Sequence, residues 1–141
     1  MSAKVFLDTN IWIYAAGAHD DAPEKQRRAA EIIAREDIVI STQIVGEFIN
    51  VSQKAKRSRR PMTSSEAAAW VDRMFELPTV EVDREIVMNA MVIQRRYGTP
   101  YWDSQMIACA ERSGAAVLYS EDLAHRQKYG ALRCVNPFVD H

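Results

Sequence analysis

Short, unbroken apolar runs recur along this chain, and the segments between them carry helical spacing. Val5-Phe6-Leu7 opens the series and Ile38-Val39-Ile40 follows. Val80 to Val82 is a weaker member, and Ala116 to Tyr119 and Leu132 to Val135 come late. A strand with one wet face alternates apolar and polar residues, whereas a strand with no polar position is covered on both faces. Strands of that kind pair in parallel, with helices on either side. The pattern therefore predicts an α/β domain of three layers, α/β/α, around a mainly parallel sheet of roughly five strands.

The intervening segments carry start and stop signals for helices. Asn10 to Ala16 reads as an apolar helix. Pro23 suits a first helical turn, and Ala29, Ala30 and Ile33 supply one apolar face to about Glu36. Ser41-Thr42 can cap a helix running from about Gln43 into the Lys54 to Arg60 region, where Pro61 ends it. Thr63 with Glu66 forms a capping box ahead of Ala67, Trp70, Val71 and Met74. Asp83 caps a helix with Ile86, Val87, Ala90, Met91 and Tyr97 inward, closed by Gly98 and Pro100. A last helix starts near Trp102 and stops at Ser113-Gly114.

At 141 residues the chain fits a single domain, 1–141, without repeats or low-complexity tracts. No apolar run approaches the roughly 20 residues needed to span a bilayer, and no signal-peptide zones open the chain. Cys109 and Cys134 are far apart and lack zinc-ligand spacing. They read as buried free thiols in a reducing cytoplasm. With 18 basic and 19 acidic residues, no global field favours nucleic acid, so any such contact needs a local basic patch.

Four acids stand out by position. Asp8 ends the first strand, and Asp122 follows the fourth through Ser120 and Glu121. Ligands in parallel α/β folds sit at that carboxyl edge. Glu47 interrupts the stripe Ile44, Phe48 and Val51, and Asp103 interrupts the stripe Met106, Ile107 and Ala110. Burying an unpartnered carboxylate is costly, so both need partners. No basic residue lies within either stripe. Helix-terminal placement explains Asp103 alone. A divalent cation explains both, and Mg²⁺ or Mn²⁺ suits an all-carboxylate site that retains water. No Ser or Cys with a His base is evident, and His19, His125 and His141 read as solvated.

Four blocks now carry a resemblance: Phe6-Leu7-Asp8-Thr9-Asn10, Ser41 to Phe48, Tyr101 to Ile107, and Leu118 to Leu123. In this order and spacing, across nearly the whole chain, the sequence resembles the PIN domain. In particular it resembles the VapC-type toxin ribonucleases of bacterial toxin–antitoxin pairs. The resemblance implies a metal-dependent endoribonuclease acting on single-stranded RNA. Its acids would be Asp8, Glu47, Asp103 and the more variable Asp122, with Glu121 as a competitor for the fourth place. Thr9, Asn10 and Ser120 match polar residues that brace the site. Asp8 and Asp103 would ligate Mg²⁺ or Mn²⁺ directly, and Glu47 and Asp122 would act through water or a second ion. The resemblance also implies an antitoxin of the VapB type, a homodimer and a cytoplasmic location.

Lys54, Lys56, Arg57, Arg59 and Arg60 form a basic run that reads either as solvated surface or as a contact for RNA phosphates. Ile11, Trp12, Ile13 and Tyr14 leave the first helix with no polar face, so Trp12 or Tyr14 is a candidate contact with another chain. Two alternatives stay open. A structure-specific DNA nuclease of the PIN superfamily would carry extra acids and larger insertions. A receiver-type signalling domain would want adjacent acids after the first strand and a late Lys, where Asp8 is followed by Thr9-Asn10.

Overall fold

The computed structural model describes residues 3–18, 22–55 and 60–139. Along the chain run β1 (Lys4–Leu7), α1 (Thr9–Ala15), α2 (Pro23–Arg35), β2 (Asp37–Ser41), α3 (Thr42–Ser52) and α4 (Ser64–Met74). There follow β3 (Thr79–Val80), α5 (Arg84–Tyr97), α6 (Tyr101–Arg112), β4 (Val117–Tyr119), β5 (Lys128–Tyr129) and β6 (Leu132–Val135). Val5, Phe6 and Leu7 are all buried, as are Ile38, Val39 and Ile40, so the central strands are covered on both faces as the apolar runs require.

The strand order is β3-β2-β1-β4-β6-β5, parallel throughout except for the β5–β6 pair. From β1 the chain builds outward through β2 to β3, then returns through α5 and α6 to lay β4 on the other side of β1. The direction of winding therefore switches between β1 and β4. Loops leaving the carboxyl ends of those strands diverge there and open a crevice. Asp8 leaves β1 at that point, and Ser120, Glu121 and Asp122 leave β4.

Caps fall where the side chains can supply them. Ser41 Oγ accepts from the Ile44 N–H, and Asp83 Oδ1 accepts from the Ile86 N–H at 3.0 Å. Thr63 and Glu66 close a reciprocal capping box, worth about 1 kcal/mol to α4. Gly98 ends α5 with φ of 71°, a left-handed conformation that a side chain would strain.

Three expectations need correction. α3 stops at Ser52 and does not run on toward Arg60. On α5 the buried stripe is Ile86, Ala90 and Ile93, while Val87 and Met91 face solvent. The helix packs chiefly on α6, and one neighbour covers a narrower stripe than two would. Trp12 and Tyr14 are only 2% exposed, so neither is free to meet another chain. The chain itself surrounds α1, with α2 and α3 packed against it and the Phe138 ring edge-on to Tyr14 at 5.1 Å. The sixth strand, β5, is a two-residue arm of a hairpin turning at Gly130, too short to carry a periodic signal.

Candidate active site

Asp8 is fixed from both sides. Its Oδ1 accepts from the Thr9 N–H at 2.6 Å, which caps α1, and its Oδ2 accepts from the Ser120 hydroxyl at 2.7 Å. The same hydroxyl accepts from the N–H groups of Asp122 and Leu123, at 3.1 and 3.4 Å. One buried serine thus joins the end of β1 to the turn after β4. Glu47 projects from α3 and receives the Thr9 hydroxyl at 2.6 Å and the Gln43 amide at 3.0 Å. Asp122 receives the Asn10 amide at 3.2 Å.

Asp103 differs from the others. It lies in the first turn of α6, where Pro100 is the N-cap residue and no side chain caps the helix. Its carboxylate takes no hydrogen bond among the described residues, so it is not a side-chain cap, although the first turn is where the helix dipole favours an anion. Glu121 is engaged elsewhere. Its carboxylate accepts from the Tyr14 hydroxyl at 2.7 Å and pairs with Lys25. The Lys25 ammonium also sits over the Tyr14 and Phe138 rings. Of the two adjacent acids, Asp122 is the one that faces the crevice.

Asp8, Glu47, Asp103 and Asp122 line one cleft of about 330 Å³, together with Thr9, Asn10, Ile13, Asn50 and Val51. No Lys or Arg is among the described lining residues. The electrostatics follow from that. Burial pushes the Asp8 carboxyl up from its ordinary 3.8 to about 6, and the charges of Asp122 and Glu47 push the same way. The bonds from Ser120 and Thr9 oppose the rise without cancelling it. Burial also raises Asp103, again with help from Asp122 and Glu47.

This donor set fits a hard divalent cation. It offers only oxygen, its charges repel one another, and the buried amide oxygen of Asn10 has no hydrogen-bond partner among the described residues. Among the described residues, however, no three His, Cys, Asp or Glu side chains stand close enough to hold one ion between them. An ion in this cleft would therefore take one or two carboxylates directly and complete its shell with water.

Thr9, Asn10 and Ser120 all lie in or directly beneath this cleft, each bonded to one of its acids. Lys54 is exposed just beyond the end of α3, whereas Lys56, Arg57 and Arg59 lie outside the described residues, as do His19 and His141. His125 is not a solvated side chain: its Nδ1 accepts from the Asn136 N–H at 3.0 Å and braces the turn after β6. Gln43 and Asn50 escaped the reading of the sequence. Both share the helical stripe of Glu47, at i−4 and i+3, and that spacing is the signal that could have found them.

The sequence matches the PIN domain family over residues 5–131. The chain belongs to that family. Solved structures share the fold of this PIN domain. The VapC20 toxin of Mycobacterium tuberculosis, which cleaves the sarcin–ricin loop, superposes with a TM-score of 0.65 at 18% identity, over 84% of this chain and 89% of that one. A toxin–antitoxin complex from Klebsiella pneumoniae gives 0.69 at 14% identity, over 95% and 98%. The DNA-bound VapBC of Salmonella typhimurium gives 0.61 at 21% identity, over 94% and 96%. No curated protein sequence matches the chain.

Proposed function

We propose that this chain is a divalent-metal-dependent endoribonuclease that hydrolyses phosphodiester bonds of single-stranded RNA, and that it is the toxin of a toxin–antitoxin pair. One observation carries the reading: four carboxylates from four separate segments of the chain line a single cleft at the sheet's switch point, with no cation among the described lining residues to neutralise them. A stable fold gains nothing from that arrangement, since like charges at short range repel. A bound Mg²⁺ or Mn²⁺ would relieve it. Such an ion lowers the pKa of water and offsets charge on the scissile phosphate. Asp8 and Asp103 would hold the ion, and Glu47 and Asp122 would complete the acidic cradle through water or a second ion. Ser120 and Thr9 would keep the Asp8 and Glu47 carboxylates aimed, so that little reorganisation is needed when substrate arrives.

The VapC-like fold supports the toxin reading, with an antitoxin of the VapB type as partner. A second copy of the chain is the other expected partner. Met88, Met91 and Val92 leave an exposed apolar stripe on α5, a kind of surface that protein partners cover. Cys109 and Cys134 are buried free thiols that burial pushes up to about 11, which leaves them poor nucleophiles. No helix among the described residues is long and apolar enough to cross a membrane. The receiver-type reading has no support, because the chain matches the PIN domain family over residues 5–131 and no Lys is among the described lining residues. A DNA nuclease is tested by substrate.

Purified protein is expected to cleave single-stranded RNA with Mg²⁺ or Mn²⁺, to stop in EDTA, and to leave duplex and flap DNA intact. Undiminished cleavage in chelator would refute the metal mechanism, and a preference for branched DNA would move the chain to the alternative. Asp122→Asn is expected to lose most cleavage, while folded Glu121→Gln keeps it. The reverse result would exchange the two acids.

For the basic run, Arg57→Ala with Arg59→Ala is expected to weaken RNA binding and flatten its dependence on salt, because fewer counterions are released. An unchanged salt slope, measured by titration at several salt concentrations, returns the run to solvated surface.

A further inference from the structure

Both oxygens of Glu47 are held, yet no cation pairs with it among the described residues. Thr9 donates to one oxygen and Gln43 Nε2 to the other. Gln43 is itself held in place. Its Nε2 also donates to the Trp102 carbonyl at 3.0 Å, and its Oε1 accepts from Gln105 Nε2 at 3.0 Å. Gln105 Oε1 in turn accepts from the Tyr101 hydroxyl at 2.9 Å. The donors all run one way: Tyr101 to Gln105 to Gln43 to Glu47. Reversing Gln43 would set its carbonyl against the Glu47 carboxylate and against the Trp102 carbonyl, so the network itself dictates the amide's orientation. Aligned amides polarise one another, and a donor facing a carboxylate makes a stronger bond than one facing a neutral acceptor.

The chain of bonds also spans two helices. Gln43 and Glu47 stand on successive turns of α3, while Trp102 and Gln105 flank Asp103 on α6. Every bond that Gln43 makes to α6 therefore lands within two residues of Asp103. A Lys or Arg in its place would also hold Glu47, but it would neutralise the carboxylate and repel a divalent cation. A neutral amide does neither.

We infer that Gln43 is a positioning residue that sets Glu47 against Asp103 across the cleft, with Gln105 and Tyr101 fixing its amide from behind. The inference rests on the nuclease reading and adds to it residues outside the acid cluster. It predicts a graded series. Gln43→Leu should weaken Mn²⁺ binding about tenfold, read from free Mn²⁺ by electron paramagnetic resonance without RNA. It should lower kcat by about 10- to 100-fold, the usual range for residues that orient metal ligands. KM for RNA should change much less than kcat, because the residue does not touch substrate. Gln105→Leu should move Mn²⁺ affinity and kcat in the same direction by less. Tyr101→Phe, which removes one hydroxyl and no volume, should move them least and guards against a Gln43 variant that fails to fold. Melting curves in EDTA establish which variants are folded.

A folded Gln43→Leu with wild-type Mn²⁺ affinity overturns the inference and leaves the nuclease reading standing, as does a Tyr101→Phe effect larger than that of Gln105→Leu. A wild-type protein that neither binds Mn²⁺ nor cleaves RNA overturns both.

Discussion

Asp103→Asn is expected to be at least as stable as wild type in EDTA while its RNA cleavage falls by about a thousandfold or more, equivalent to about 4 kcal/mol of transition-state stabilisation. The two halves of that result have one cause. Asp103 is half-buried beside Glu47 and Asp122, and burial and both charges raise its carboxyl. Amidation removes the charge at almost constant shape. Its side chain takes no hydrogen bond among the described residues and α6 has no side-chain cap, so only a modest attraction to the helix dipole is lost with the charge. Without metal the substitution therefore relieves repulsion.

With metal the order reverses. An ion that binds only the folded state, present at about a hundred times its dissociation constant, adds about 2.7 kcal/mol. For a domain of this size that raises the melting temperature by roughly 8 °C. The variant lacks a ligand and should show a much smaller rise. Melting curves with EDTA and with Mn²⁺, beside a cleavage assay on the same two proteins, decide the matter. An active Asp103→Asn with a normal metal-induced shift would sink the assignment of this site.

The acids were legible in the sequence for the same reason that they are costly in the fold. Glu47 and Asp103 each break an apolar stripe, and Asp8 follows a strand with no polar position, so periodicity alone marks them as needing partners. Choosing between Asp122 and Glu121 was beyond that logic. Adjacent residues leaving a strand point apart, and Glu121 is drawn off by Tyr14 and Lys25, each about a hundred positions away along the chain. Trp12 and Tyr14 misled for a related reason. A helix apolar all round needs cover on all sides, and pattern cannot say whether its own chain or another supplies it. Here α2, α3 and Phe138 do. On α5 the apolar residues outnumber the buried positions, and only the side on which α6 packs separates Ile93 from Met91. Gln43 carries no charge, so its place on the stripe demands no partner, and only its three hydrogen-bond partners, Glu47, Trp102 and Gln105, single it out.

Without metal, the wild-type protein is expected to lose stability as pH rises from about 4.5 to 6.5, the opposite of ordinary acid denaturation. Asp8 is the reason. Its folded pKa of about 6 lies above the 3.8 of an exposed aspartate, so the folded state binds the proton more tightly than the unfolded chain. Its contribution is complete below 3.8, where both states are protonated, and is lost as pH rises through 6. The buried position makes the full shift relevant, worth up to about 3 kcal/mol. Asp103 is raised as well and adds to the same descent.

Groups with lowered values act in the other direction and at lower pH. Arg60 and the Thr63 cap hold Glu66 down to about 2, and Arg112 lowers Asp83. Both are exposed, so solvent screens them, and what they contribute is already gained by about pH 4.5. The two effects are therefore separated along the pH axis. Asp8→Asn keeps an oxygen for the Thr9 N–H, and so preserves the α1 cap, but removes the proton. It should flatten most of the descent. Mn²⁺ competes with protons for the same oxygens, so it should restore wild-type stability most strongly above pH 6 and leave Asp8→Asn nearly unmoved. Urea unfolding at half-unit pH intervals, in EDTA and in Mn²⁺, measures all of this. A wild-type curve in EDTA that is flat or rising between pH 4.5 and 6.5, or an Asp8→Asn curve that descends as steeply, would show that Asp8 does not hold its proton in the folded protein.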